Sequence, residues 1–200
     1  MSAPALSQLR IIGGRWRGRP VHFIAFEGVR PTPDRVRETL FNWLQGQITG
    51  RRCLDLFAGS GALGIEALSR QAASVTFIDS SPSVVQQLRQ QLQHLGGDAD
   101  PSAVVVKQQL AGSFLTREVL SSAAPCGGFD LVFLDPPFHT NLLPELLRLL
   151  QQNAWLNPAA SIYYEAGSPL NPQDLPDAAW QIRRSQRAGQ VYYGLIDTPN

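Results

Sequence analysis

Two stretches of this chain combine residue types that chemistry can use. The first is Asp135-Pro136-Pro137-Phe138. Consecutive prolines cannot donate to a sheet ladder and fix the backbone in an extended form. The carboxylate before them and the ring after them are thus held rigidly where the apolar run 129–134 must end. An exocyclic amino group on a base is a poor nucleophile, since its lone pair is delocalised into the ring. A carboxylate accepting its hydrogens, beside the fixed carbonyl of Pro136, favours a pyramidal nitrogen and stabilises the charge that develops on it. The ring of Phe138 supplies a stacking face for the base. The plain alternative is a strand-ending Asp-Pro turn. The second stretch is Gly59-Ser60-Gly61-Ala62-Leu63-Gly64, with Asp55 and Phe57 before it and Asp79-Ser80 twenty residues after Gly59. Glycines at this spacing let the backbone turn tightly and a ligand approach without a Cβ in the way, and an acid ending the next strand can hold ribose hydroxyls. Here the plain alternative is a tight strand-to-helix turn in which Asp79 caps the helix opening at Pro82. A pyrophosphate would be repelled by Asp55 just before the loop, whereas a cationic ligand would be drawn to it. Asp55 bonded to the loop's own amides is compatible with either.

These residues need a frame. From Arg52 onward, short apolar runs alternate with longer amphipathic segments, the pattern of repeated strand–helix units and a mostly parallel sheet. Strands are expected near 52–57, 74–79, 103–107, 129–135 and 160–165, nearly continuous in Val, Leu, Ile and Phe as in strands covered on both faces. Helices are expected near 61–71, 82–95, 113–121 and 141–153, the second capped by Ser81 and started by Pro82. After a Pro-rich loop, strands near 179–186 and 190–196 flank Ala188-Gly189 and read as an antiparallel hairpin. Ahead of the sheet, residues 9–24 read as a basic β-hairpin, and Thr32-Pro33 as the cap and first residue of a helix with Val36, Leu40, Trp43 and Leu44 on one face. The division expected is an extension over 1–50 and a catalytic domain over 51–200.

At 200 residues, with 44% hydrophobic and 16% charged side chains, the chain can bury one sizeable core. No apolar run approaches the ~20 residues of a membrane span, and the N-terminus lacks a charged region followed by an apolar one, so a cytoplasmic protein is expected. Cys53 and Cys126 are too few for a disulfide framework, and without a paired His or Cys cluster no metal is expected. The net charge of +1 hides a division: residues 1–52 hold nine arginines against three acids, net +6, and the remainder is net −5. The stretch Arg10-Ile11-Ile12-Gly13-Gly14-Arg15-Trp16-Arg17-Gly18-Arg19 combines Arg for phosphate, Gly for close approach and Trp for stacking, an RNA-type surface that Arg30 and Arg35 extend. A charge run is more often a solvated face. His139 could contact substrate, although a lone His after a turn is more often exposed to solvent.

The stretch Asp55-Leu56-Phe57-Ala58-Gly59-Ser60-Gly61 resembles motif I of class I S-adenosylmethionine-dependent methyltransferases, and Asp135-Pro136-Pro137-Phe138 resembles motif IV of those acting on amino nitrogens of adenine, guanine or glutamine. Their cofactor carries an ammonium, a sulfonium and no phosphate. The resemblance implies that Asp55 meets the ammonium, the Gly59–Gly61 backbone lets the ligand approach, and Asp79 meets the ribose, with Phe57, Ser60, Ser80 and Gln109 completing the S-adenosyl-L-methionine site. With Arg10-Ile11-Ile12-Gly13-Gly14, Trp16-Arg17-Gly18-Arg19, Val29-Arg30-Pro31-Thr32 and Asp34–Leu44, the whole chain over about 9–196 resembles the bacterial 16S ribosomal RNA guanine-N2 methyltransferase (RsmD) family. Lys107-Gln108-Gln109 departs from it, standing where an Asn or Asp often meets the adenine. The resemblance implies a Rossmann-like α/β fold: a seven-stranded, mainly parallel sheet with helices on both faces, preceded by a β-hairpin and helix. It implies methylation of one guanine N2 in 16S rRNA of the small subunit by a monomer. Adenine N6, a glutamine amide, a dinucleotide-dependent oxidoreductase and a non-catalytic assembly factor remain the rivals.

Overall fold

A computed structural model of the chain describes residues 6–24, 32–95, 103–117, 128–138 and 140–199. A two-stranded antiparallel hairpin opens it, β1 (Leu6–Arg10) against β2 (Pro20–Ile24), with Arg10 opposite Pro20. Helix α1 (Asp34–Trp43) leads into β3 (Arg52–Asp55), α2 (Ala62–Ser69), β4 (Ser74–Asp79), α3 (Pro82–Leu95), β5 (Val104–Gln108), α4 (Ala111–Arg117), β6 (Phe129–Leu134), α5 (Leu143–Gln152) and β7 (Leu156–Ala166). The terminal hairpin is β8 (Gln181–Ala188) and β9 (Val191–Asp197). Among the described residues these strands form a seven-stranded sheet in the order β5-β4-β3-β6-β7-β9-β8. The first five are mutually parallel, while β9 pairs antiparallel with both β7 and β8. The chain runs outward from β3 to β5, then returns to β6 on the other side of β3. That reversal makes the carboxyl end of β3 the switch point where such sheets bind ligands.

Alternation along the strands assigns each side chain to a face. Cys53, Phe77, Leu131, Phe133 and Tyr163 point into one cluster with α1, α2 and residues of the hairpin. Leu54, Ile78, Val132, Leu134 and Ile162 point into the other, with α4 and α5. Strand and helix bounds on described residues fall close to those expected, the end expected for α4 near 121 lying outside them, with three instructive differences. β3 stops at Asp55 because Leu56 and Phe57 already turn toward the glycine loop. β7 begins at Leu156 rather than near 160, since it pairs with Phe129 before a register shift. Pro33, rather than Thr32, occupies the cap position of α1 without a side-chain hydrogen bond, because the Thr32 hydroxyl is drawn to the buried Glu165 carboxylate, Oγ1 to Oε1 2.7 Å.

The N-terminal extension is committed to the body of the domain. Its residues Leu9, Ile11, Trp16, Val21 and Phe23 lie in the same buried cluster as Cys53 and Phe77. Fully buried Glu66 on α2 accepts the Ile12 N–H and the Gly13 N–H, each at 2.7 Å, and the Arg70 Nε–H at 2.8 Å. Gly14 has φ +76, and a Cβ there would lie 1.9 Å from the Ser69 carbonyl oxygen, so the chain passes where only glycine fits. The Arg15 N–H donates to that carbonyl at 2.8 Å and the Trp16 N–H to Ser69 Oγ at 3.0 Å. Gly13 and Gly14, expected to let RNA approach, instead let the extension approach α2. On the far side, Gln87 donates to the His22 carbonyl at 2.7 Å and Gln91 accepts the His22 N–H at 3.1 Å, so α3 covers the edge of β2.

Candidate active site

Three acids stand at the ends of three neighbouring strands around one cavity: Asp55 as the last residue of β3, Asp79 as the last of β4 and Asp135 just after β6. Its volume is about 390 Å³, within the range of small-molecule sites. Phe57, Gly59, Ser60 and Ser80 line it as expected. The glycine loop is shaped by the acids themselves. Asp79 Oδ2 accepts the Gly59 N–H at 3.0 Å and Oδ1 the Ser81 N–H at 2.8 Å. Asp55 Oδ2 accepts the Gly64 N–H at 3.1 Å. The plain alternative for Asp55 is realised, since it holds a loop amide, whereas the helix amide of Val84 meets Ser81 Oγ at 3.5 Å rather than Asp79; neither acid's bonds exclude a ligand, because a carboxylate has about four acceptor positions.

At Gly59 the loop leaves room for a ligand at close range, whereas a Cβ at Gly61 would lie 2.5 Å from Leu88 Cδ1. Gly59 (φ +50) and Gly61 (φ +76) adopt the left-handed region, and a Cβ at Gly59 would meet no protein atom nearer than Phe57 O at 3.8 Å. Glycine is required at 59 by the turn and the open space beyond it, not by packing. At Gly64 the reverse holds: a Cβ would lie 2.2 Å from the Phe77 ring, so this glycine seats α2 on β4.

The electrostatics favour a cation. Burial, with help from Asp79, raises the Asp55 carboxyl to about 7 against the lowering hydrogen bonds of Gly64 and Phe57. Burial first, then Glu165 and then Asp55, push Asp135 well above the usual carboxylate range. A positive ligand relieves such a cluster, whereas a pyrophosphate would add to its strain. Among the described residues, no group of three His, Cys, Asp or Glu is placed to hold a metal ion. No helix among them is long and apolar enough to cross a membrane.

The Asp-Pro-Pro-Phe segment straddles two hollows. Asp135 and Pro137 face the cavity just described, while Pro136 and Phe138 line a neighbouring cleft of about 480 Å³ with Thr140, Asn141 and Gly167. Phe138 is 47% exposed, so its ring is available for stacking. The Gln109 side chain is not among the cavity's walls. Its backbone N–H donates to the Asp79 carbonyl at 2.9 Å, which ties β5 to β4 instead.

The basic front end differs most from expectation. Trp16 is only 2% exposed and packs in the core, so it offers no stacking face to a partner. Arg37, counted with the surface charge, is fully buried: it meets Asp34 at 2.6 Å, the Arg10 carbonyl at 3.1 Å and Glu66 at 4.0 Å. Arg19 donates to the carbonyls of His94 at 3.0 Å and Leu95 at 3.4 Å, closing the C-terminus of α3. Arg10, Arg15, Arg17 and Arg35 are exposed, with the Arg15 guanidinium 4.3 Å from the centroid of the Trp16 ring. Arg30 and His139 lie outside the described residues.

Sequence reasoning missed Phe23, Thr32, Leu63, Val84 and Gln87, all of which line the cavity. Phe23 and Thr32 reach it from the extension, and local pattern holds no signal for that. It also missed Glu165, which carried the same signal as Asp55, Asp79 and Asp135: an acid ending an apolar strand.

Comparison with known proteins agrees with this geometry. The family described as conserved hypothetical protein 95 matches residues 9–197. Ribosomal RNA small subunit methyltransferase D of Haemophilus influenzae is 44% identical over 191 residues, covering 96% of this chain and 94% of the relative. The protein of the same name from Escherichia coli is 47% identical over 188 residues, covering 94% and 89%. A solved Escherichia coli chain carrying a methyltransferase assignment, yhhF, superposes with a TM-score of 0.80 at 44% identity over 96% of this chain and 99% of that one. The sheet order and the helices on both faces are those of the class I S-adenosylmethionine-dependent methyltransferase fold. Matched over nearly its whole length in sequence and in fold, the chain belongs to the ribosomal RNA small subunit methyltransferase D family.

Proposed function

We propose that this chain transfers a methyl group from S-adenosyl-L-methionine to the exocyclic N2 of a guanine in 16S ribosomal RNA of the small subunit, acting in the cytoplasm as a monomer. The observation that carries this reading is one shared cavity: Asp135 opens into the same space as Asp55 and Asp79, and the exposed Phe138 ring stands at the far end of the same rigid Asp-Pro-Pro-Phe segment. The names of the relatives support small-subunit ribosomal RNA as the substrate. When bound, S-adenosylmethionine supplies an electrophilic methyl on a sulfonium. The chain does the rest by placement. Lone pairs of Asp55 not used by Gly64 meet the ammonium, and those of Asp79 meet the ribose hydroxyls. Asp135 and the Pro136 carbonyl accept the amino hydrogens, and Phe138 stacks on the base. A direct displacement needs no covalent enzyme intermediate, so positioning supplies most of the acceleration. Outside the cavity, the exposed Arg10, Arg15, Arg17 and Arg35 form a surface that meets the RNA backbone, and Arg30 and His139 are assigned to RNA contact from the sequence alone.

The test is incubation of tritium-labelled S-adenosylmethionine with small subunits lacking the modification, followed by nucleoside analysis. N2-methylguanosine is expected. Label in N6-methyladenosine or in protein would overturn the assignment. The Asp135→Ala variant is expected to lose turnover while calorimetry shows cofactor binding retained.

A further inference from the structure

Asp135 and Glu165 end adjacent parallel strands. Phe133 stands opposite Tyr163 and Leu134 opposite Tyr164, so one more step along both strands sets Asp135 beside Glu165. Partners in a parallel ladder point to the same face, and Asp55, opposite Phe133, shares that face. Three carboxyl groups thus converge where like charges across strands cost stability. Glu165 is only 2% exposed, and its Oε1 accepts the Thr32 hydroxyl at 2.7 Å and the Tyr163 hydroxyl at 2.9 Å. Both donors are neutral. Arg37, a buried cation of the same core, is turned instead to Asp34 at 2.6 Å and Glu66 at 4.0 Å. An acid held beside the group that touches the substrate, with no cation against it among the described residues, is a costly arrangement of the sort found where function uses it.

We propose that Glu165 is a positioning residue for methyl transfer: its carboxylate, pinned by Thr32 and Tyr163, makes Asp135 the acceptor of the proton that leaves the methylated amino nitrogen. This rests on the reading of Asp135 as the residue that meets the amino group. As the nitrogen lone pair forms the N–C bond, the S–C bond breaks with its electron pair remaining on sulfur. One N–H proton then passes to an Asp135 oxygen, and from the Asp135–Glu165 pair to water. The charge of Glu165 raises the affinity of Asp135 for that proton. Burial raises Glu165 as well, while the bonds from Thr32 and Tyr163 oppose the rise. Among the described residues, the other titratable groups facing the pair are Asp55 at the end of β3, Tyr163 on β7 and, next to Tyr163, Tyr193 on β9.

The experiment follows the carboxyl ¹³C resonances of the ligand-free protein through a pH titration in wild type, Glu165→Gln and Tyr163→Phe, alongside the pH dependence of kcat on small subunits. Glu165→Gln keeps an acceptor for Thr32 and Tyr163 but removes the charge. It is expected to lower the Asp135 midpoint by at least about one unit. The acid limb of kcat should move down with it and plateau kcat fall about three- to tenfold, with KM for the subunit unchanged. Tyr163→Phe, which takes one donor from Glu165, should move both quantities the same way by less. An unchanged Asp135 midpoint and acid limb in both variants would overturn the proposal. Full turnover in Asp135→Ala, or no guanine product from wild type, would instead overturn the amino-nitrogen reading, whatever the titration shows.

Discussion

Replacing Glu66 by Ala tests what holds the N-terminal extension in place. Glu66 is fully buried and accepts three hydrogen bonds of 2.7–2.8 Å, two from the amides of Ile12 and Gly13 and one from Arg70, with the buried Arg37 guanidinium 4.0 Å away. Removing one member of a buried ion pair costs about 3–5 kcal/mol, because the remaining charge is left without compensation. Each amide left without an acceptor adds roughly 1–3 kcal/mol if it stays dry. These terms overlap: the space vacated by the side chain admits water, and Arg70, 24% exposed at its side chain, can turn to solvent. Arg37 cannot turn away, since its side chain is 0% exposed. The expected loss is therefore about 4 kcal/mol, on the order of 10 °C in Tm for a domain of this size. Urea denaturation followed by circular dichroism measures the first figure, and hydrogen exchange at Ile12 and Gly13 locates it. Exposed Glu38, replaced by Ala, is the control and should change stability by less than about 0.5 kcal/mol. A loss below about 1 kcal/mol in Glu66→Ala, with both amides still protected, would refute the docking argument.

Gly64→Ala should destabilise the domain by about 1–3 kcal/mol, since its Cβ would meet the fully buried Phe77 ring at 2.2 Å, and should weaken cofactor binding by shifting the amide that holds Asp55; denaturation and calorimetry read the two effects. Replacing Arg10 and Arg17 together by Ala should weaken subunit binding and make the plot of log affinity against log salt shallower by about 0.7–0.9 for each phosphate that is no longer neutralised, with fold stability little changed; an unaltered slope would remove these residues from the RNA surface. Cofactor affinity should fall as pH drops through about 7, because the protonated Asp55 no longer attracts an ammonium. At one unit below that midpoint the loss is about tenfold, and Asp55→Asn should flatten the dependence. In the absence of ligand the sign reverses: the raised carboxyl favours the protonated folded state, so stability should decline as pH rises from about 4 to 7.

What can be read from the chain and what cannot divide by the distance over which residues act. Val75, Phe77, Leu131 and Val132 announce buried strands because a strand covered on both faces must be apolar throughout, and Asp55, Asp79 and Asp135 stand out as the acids that end such strands. Gly13, Gly14 and Trp16 mislead because their partners, Glu66 and Ser69, lie more than fifty positions away. An Arg-Trp-Arg-Gly-Arg run has the same composition whether its ring faces solvent or a core. Thr32 shows the same limit: a Thr before Pro reads as a helix cap, and only its approach to Glu165, 133 positions on, assigns the hydroxyl elsewhere.

The charge division of the sequence takes on a different meaning once these contacts are placed. Among the described arginines ahead of the sheet, Arg37 is committed to the interior and the exposed Arg19 is tied to the end of α3, while Arg10, Arg15, Arg17 and Arg35 are exposed as well. The segment that carries them is fastened by Glu66 and Ser69 to the helix that follows the glycine loop. It also places Phe23 and Thr32 in the cavity wall. The extension thus contacts α2 through Ile12–Trp16, and Thr32 contacts Glu165 on the strand beside that of Asp135. On the function proposed above, RNA at the extension and a cation in the cavity would act on one packed unit, so a substitution that loosens Glu66 should weaken the binding of both.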